Sequence, residues 1–238
     1  MESVELVGLR VRVVAGNTAF APTFLVILLH GFGAPGDDLV PLANELVAPD
    51  GTWFLIPEAP FNLSDSAPQM GEVRAWWPID LASVQVAMFS RDLEALAEGL
   101  RAGSAPAVER VSRLVEEACR HFGVSSKRTV LGGFSQGAIV ALEATLDLRW
   151  PLAGLLLFSG LSLYGKTLVE RAGAAAPMAS VVSHGQSDPI LPYSLGEQMG
   201  SDLARAGWDV DWVPFVGGHG IPPKAIHAAG RLLSTQLV

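Results

Sequence analysis

The sequence is short of charge. Asp, Glu, Lys and Arg make up 17% of its 238 residues, against roughly 25% in ordinary soluble domains. Apolar side chains make up 50%, so disorder and coiled coil are both disfavoured. Positive charge is the scarcer kind: 16 basic residues stand against 24 acidic ones, a net charge of −8, and no run of Lys or Arg occurs. A surface that tracks phosphates needs clustered cations, which argues against a nucleic-acid partner and, for the same reason, against an anionic membrane patch.

Long apolar runs are missing as well. The longest stretch free of Asp, Glu, Lys and Arg, Val13 to Gly36, is broken by Gly16, Asn17, Pro22 and Gly31. What remains, Phe24 to Leu29, is far short of the ~18 residues that span a bilayer. The single cysteine, Cys119, can form neither an internal disulfide nor a Cys-rich metal site, and within its predicted helix it reads as packing. No His-Glu-x-x-His spacing is present, so no metal is expected. The N-terminus, Met1-Glu2-Ser3-Val4-Glu5, lacks the basic-then-apolar order of a secretory signal, a pattern that predicts a cytoplasmic chain. At roughly 150 residues per domain, residues 1–238 read as a single domain.

What the chain does have is alternation. Apolar runs at Thr23 to His30, Thr52 to Pro57, Lys127 to Gly132, Gly154 to Phe158, Met178 to Ser183 and Val210 to Val216 have the continuous character of strands buried between two helix layers. Glu5 to Val13 alternates polar with apolar, as an antiparallel edge strand does. Helical periodicity is found at Leu39 to Leu46, Phe89 to Leu100, Val108 to Phe122, Gln136 to Leu146, Leu195 to Ala206 and Lys224 to Leu237. Strand and helix in alternation predict a three-layer α/β fold around a mostly parallel sheet. The irregular segment Glu58 to Asp80, rich in Pro and aromatics, is long for a loop in a compact domain and is expected near a functional site.

Two glycine motifs compete for the chemistry. Gly133-Phe134-Ser135-Gln136-Gly137 follows the strand Thr129-Val130-Leu131 and precedes an apolar helix. That context holds a nucleophilic serine on a sharp turn at the carboxyl edge of a sheet. Gly31-Phe32-Gly33-Ala34-Pro35-Gly36 has the Gly-x-Gly-x-x-Gly form of a dinucleotide loop, and Glu58 follows at about the ~20 residues of the ribose-binding acid. However, Asp37 and Asp38 would put two carboxylates where a pyrophosphate must bind. Pro35 also biases Ala34 away from the helical region. The loop serves better as an oxyanion hole, with backbone N–H donors from Phe32 and from Gln136, the residue after the nucleophile.

With Ser135 as nucleophile, the chain order Ser, acid, His limits the base to His184, His219 or His227. His227 falls inside a predicted helix, and His184 precedes any suitable acid. His219, in Gly217-Gly218-His219-Gly220 after the last strand, is the candidate base. Among the intervening acids only Asp188 sits in a turn directly after an apolar strand, which makes it the orienting carboxylate; a plain turn-forming role is its alternative. His30 is expected to buttress the loop that follows it, and His121 to favour its helix C-terminus.

Leu29-His30-Gly31-Phe32-Gly33, Gly133-Phe134-Ser135-Gln136-Gly137, His184-Gly185-Gln186-Ser187-Asp188-Pro189 and Gly218-His219, in this order, resemble the phospholipase/carboxylesterase family of α/β hydrolases, which includes the acyl-protein thioesterases and lysophospholipases. The resemblance implies an α/β-hydrolase fold without a large cap domain, acting on carboxylic esters or thioesters without a cofactor. It also implies Ser135, Asp188 and His219 as the triad, with Phe32 and Gln136 as oxyanion donors. In Arg74-Ala75-Trp76-Trp77-Pro78-Ile79, Pro78 stands where the family's segment usually has Asp; the nearest substitute is Asp80. A small-molecule or lipid ester is the expected substrate, and Phe61, Leu63, Met70, Trp76, Trp77, Ile190 and Leu191 are the apolar candidates for holding it, with ordinary core packing as their alternative. A serine peptidase and a non-catalytic hydrolase-like binding protein remain open from the residues alone.

Overall fold

A computed structural model of the chain describes residues 2–15, 21–64, 72–148 and 150–237. Its strands are β1 (Glu2–Leu6), β2 (Leu9–Ala15), β3 (Phe24–Leu29), β4 (Thr52–Pro57), β5 (Phe61–Asn62), β6 (Arg74–Ala75), β7 (Thr129–Phe134), β8 (Gly154–Phe158), β9 (Ala179–Gly185) and β10 (Asp209–Phe215). Its helices are α1 (Val40–Glu45), α2 (Leu81–Ser90), α3 (Leu93–Arg101), α4 (Ala105–Phe122), α5 (Gln136–Asp147), α6 (Leu168–Ala174), α7 (Tyr193–Arg205) and α8 (Pro223–Gln236).

Eight strands form one sheet in the order β1-β2-β4-β3-β7-β8-β9-β10, and β5 pairs with β6 in a separate ribbon. From β4 to β10 every neighbour pair is parallel, while β1 and β2 run antiparallel at one edge. The alternation of β3 shows why its sequence is apolar throughout: Leu25, Ile27 and Leu29 join one core, and Phe24, Val26 and Leu28 join the other. Helix α4 contributes Val108, Val111, Leu114, Val115 and Ala118 to the first core, the face that its periodicity predicts. Helices α1 and α8 cover the second. Helices therefore lie on both faces, as the α/β reading requires.

Helix α6 and most of α2 lie outside the helices expected from the sequence, and two of the expected elements are divided. The edge strand expected over Glu5 to Val13 is a hairpin, with Glu2 opposite Val13 and Leu6 opposite Leu9. Val7 and Gly8 both have positive φ, 47° and 72°, the geometry of a two-residue type I′ turn that suits the strand twist. The helix expected over Phe89 to Leu100 is two helices, because Arg91 turns left-handed at φ 56°. Asp80 and Asp92 start them, each accepting N–H bonds from the first turn, and such caps outweigh continued periodicity.

The loop after β3 is tied down by a buried charge. The Glu58 carboxylate, only 6% exposed, lies 2.6 Å from Arg12 and 3.2 Å from Arg74. Arg74 also exchanges backbone hydrogen bonds with the loop, donating to the Ala34 carbonyl at 3.0 Å and accepting from the Gly33 N–H at 2.8 Å. Removing Glu58 would leave two guanidinium groups facing each other with no buried counter-charge. Glu58→Ala is expected to destabilise the fold by about 3–5 kcal/mol, measured by urea unfolding at pH 7.

Candidate active site

The carboxyl ends of β3, β7, β8, β9 and β10 all open onto one edge of the sheet, and the site is assembled there. Ser135 follows β7 directly, with φ 54° and ψ −120°, a conformation that an L-residue adopts only under constraint. The constraint is close packing. A Cβ on Gly137 would lie 2.0 Å from the Leu29 carbonyl oxygen, and one on Gly133 would lie 2.4 Å from the Gly137 carbonyl carbon. The Ser135 N–H bonds the Phe158 carbonyl of β8 at 2.9 Å, which pins the turn to the neighbouring strand.

The loop after β3 packs against this turn, since a Cβ on Gly31 would lie 3.3 Å from the Ser135 Cβ. The Gly33 and Ala34 amides are occupied by the Arg74 and Gly31 carbonyls. Among the described residues, the Phe32 and Gln136 amides have no such acceptor. His30 buttresses the loop as expected. It is fully buried, its Nε2 accepts the Ala59 N–H at 3.1 Å, and its Nδ1 is 2.8 Å from the Gly31 carbonyl. The proton therefore sits on Nδ1, and burial pushes the His30 pKa down, against the raising effect of the Gly31 bond.

Asp188 and His219 meet. His219 Nδ1 is 2.7 Å from Asp188 Oδ2, and the carboxylate side chain is fully buried while the imidazole is 15% exposed. The Ile190 and Leu191 amides donate to Asp188 Oδ1 at 2.8 and 2.9 Å. Burial by itself would push this carboxyl up; the hydrogen bonds from His184, His219, Leu191 and Ile190 outweigh it and hold the group well below the usual carboxylate range. The His219 ring lies against Phe134, the neighbour of Ser135, at 4.7 Å between centroids. Among the described residues Ser135 Oγ makes no hydrogen bond; in unliganded enzymes this contact is often long and tightens only on binding.

Three contributors carry weak signals in the sequence. Ser159, buried and at φ 50°, donates its hydroxyl to the Gly220 carbonyl at 3.0 Å and so anchors the His219 loop from the end of β8. The Gln136 side chain accepts the Trp76 N–H and donates to the Trp77 carbonyl, both at 2.9 Å. It thereby clips the Glu58 to Asp80 segment to the serine turn and brings that segment to the site. His184, set aside in the sequence reading for preceding the acid, has its Nε2 3.2 Å from Asp188 Oδ2; the turn between them folds back, which linear order hides.

The substrate candidates divide. Trp76 and Trp77 are buried, with indole N–H groups bonded to the His30 and Leu100 carbonyls at 2.9 Å, and Leu191 is buried too. These three are core, a correction with a plain cause: large apolar groups beside the sheet edge are taken up by packing. Phe61 and Ile190 are exposed and Leu63 is half-buried; Met70 lies outside the described residues. Asp80 caps α2, its carboxylate accepting from the Ala82 and Ser83 amides and the Ser83 hydroxyl. Those bonds, the Ser83 hydroxyl first, hold its pKa down. Glu58 is neutralised by arginines, and Asp37 and Asp38 lie in the turn before α1, so the loop after β3 has no dinucleotide geometry.

The family model for Phospholipase/Carboxylesterase matches residues 11–237. The chain belongs to this family. Among curated relatives, the acyl-protein thioesterase 1 of Gibberella zeae is 28% identical over 222 residues, covering 90% of this chain and 91% of its own. A probable carboxylesterase of Oryza sativa subsp. japonica is 26% identical over 237 residues, covering 97% and 85% respectively. Among solved structures, esterase PE8 superposes with a TM-score of 0.80 at 25% identity, covering 99% of this chain and all of its own. The fold is thus that of the α/β hydrolases, and membership places the chain among ester and thioester hydrolases. No described helix is long and apolar enough to cross a membrane.

Two expectations follow from the geometry. Gln136→Leu keeps the backbone N–H but leaves the buried Trp76 amide and Trp77 carbonyl unpaired, at about 1–3 kcal/mol each, so chemical denaturation should show a loss of about 2–6 kcal/mol. Because folding depresses the Asp188 pKa, its carboxylate stabilises the protein in full above the unfolded-state value near ~4 and loses that contribution progressively as pH falls from there through the much lower folded-state value. Urea unfolding of wild type and Asp188→Asn should therefore show a stability gap at pH 7 that narrows at pH 3 to 4.

Proposed function

We propose that the protein hydrolyses carboxylic esters or thioesters by two-step acyl transfer, with Ser135 as nucleophile, His219 as general base and acid, and Asp188 as the carboxylate that orients the imidazole. The observation that carries this reading is the 2.7 Å contact of His219 Nδ1 with a buried Asp188 oxygen, on loops beside a serine held in a strained turn. That contact keeps the Nδ1 proton on the Asp188 side and leaves Nε2 free to accept the serine proton.

In the first step Ser135 Oγ attacks the carbonyl carbon while its proton passes to His219 Nε2. The negative charge that forms on the carbonyl oxygen is received by the Phe32 and Gln136 N–H groups, each such donor being worth roughly 100- to 1,000-fold in rate. Collapse of the tetrahedral species breaks the bond to the leaving alcohol or thiol, which takes the proton from the imidazolium. Water, deprotonated by the same nitrogen, then cleaves the acyl-enzyme and releases the carboxylic acid. The balance needs only substrate and water.

By their names, the acyl-protein thioesterase relative acts on thioesters of acylated proteins and the probable carboxylesterase on carboxylic esters, and this chain is proposed to act on bonds of these two kinds. Phe61, Ile190 and Leu63 are its apolar candidates for the acyl chain. Hydrolysis of p-nitrophenyl esters of graded length by wild type and Ser135→Ala, with chelator present, tests the reading. The expected result is a loss of roughly 10⁴-fold or more in the variant and a preference for medium acyl chains over acetyl. Equal rates in both proteins would remove Ser135 as nucleophile; a flat length series would remove Phe61, Ile190 and Leu63 as contacts of the acyl chain.

A further inference from the structure

Asp188 has a second imidazole on it. His184 Nε2 stands 3.2 Å from Oδ2, the same oxygen that His219 contacts, and 3.0 Å from the Leu191 carbonyl. Both neighbours are acceptors, so Nε2 carries the proton; its hydrogen bond goes to the Leu191 carbonyl, and Asp188 Oδ2 lies alongside as a second, electrostatic contact. Nδ1 is buried with no partner among the described residues. It faces α7 at Gly196, where a Cβ would lie 2.2 Å from it. A proton there would be a buried donor without an acceptor. Two backbone amides on Oδ1 and the His219 ring N–H on Oδ2 bond the Asp188 carboxylate, and the His184 N–H edge closes off its remaining side at 3.2 Å from Oδ2.

We infer that His184 is a positioning residue for the proposed triad. Its N–H, delivered from inside the core, fixes the plane of the Asp188 carboxylate on His219 and draws off part of the negative charge that His219 feels. Gly196 is part of the device, because any side chain there would push the ring off the carboxylate. This inference rests on the reading of Ser135, Asp188 and His219 given above. Among the described residues, the Tyr193 ring of α7 lies 6.3 Å from the His184 ring, and Glu197 accepts from the Tyr193 hydroxyl at 3.3 Å.

The test is the pH dependence of p-nitrophenyl ester hydrolysis for His184→Leu, His184→Gln, Gly196→Ala and Ser135→Ala, with thermal unfolding alongside. Without the second donor the Asp188 charge acts more fully on His219 and favours its protonated form. His184→Leu is therefore expected to lose about 10- to 100-fold in kcat/KM, mostly in kcat. Its acid limb should move up by about 0.5 pH unit. His184→Gln, whose amide can donate to the same oxygen, should recover most of both effects, and Gly196→Ala should behave like His184→Leu. A His184→Leu enzyme within about twofold of wild type overturns the inference, as does a loss with an unmoved limb and no recovery in His184→Gln. If His184→Leu does not fold, Gly196→Ala decides by the same limb: moved supports the inference, unmoved overturns it. Wild-type activity in Ser135→Ala would instead overturn the function proposed above.

Discussion

At Ser135 the backbone is held in a left-handed turn, and it stays there only because β3, β7 and α5 approach one another closely enough to exclude any Cβ at Gly133 and Gly137. This close approach sets the geometry of everything around it. It places Ser135 at the sheet's carboxyl edge, directly ahead of the first turn of α5. It also brings the loop after β3 into contact with the turn through Gly31. The strain is balanced by packing on both faces of the sheet, where the two cores meet along β3, a strand that is apolar at every position.

Around that turn, buried charges act as joints between loops. Asp188 is buried as a carboxylate because four N–H groups surround it, two from its own turn and two from imidazoles on separate segments. Glu58 does the same for the loop after β3 through Arg12 and Arg74. Neutral polar clips complete the scaffold: Gln136 holds the Trp76–Trp77 backbone, and Ser159 holds the carbonyl next to His219. Each clip satisfies groups that would otherwise be buried and unpaired, so stability and site geometry share the same bonds.

The parts that were legible in the sequence are those whose cause is local. The strand over Gly154 to Phe158 has the bounds that its apolar run predicts, and Val108 to Ala118 form a buried face because their spacing matches one side of a helix. The glycines around Ser135 announce a tight turn, and the membership shown by residues 11–237 agrees with the order of the motifs. The break at Arg91 and the hairpin at Val7-Gly8 were not legible, because a capping aspartate and a two-residue turn are small signals inside stretches whose periodicity continues across them.

Sequence by itself determined the alternation of strands and helices and the glycine-flanked serine turn, because each depends on residues near one another along the chain. Tertiary structure alone decided which side chains share an oxygen and which tryptophans are core. His184 precedes Asp188 and reads as the end of a strand, yet the turn after β9 brings it back onto the same carboxylate as His219. Trp76 and Trp77 read as candidates for holding the substrate or for the core, and their indole N–H groups are satisfied inside. Contacts between segments distant in sequence arise from how the sheet edge gathers its loops, and no local pattern encodes that distance.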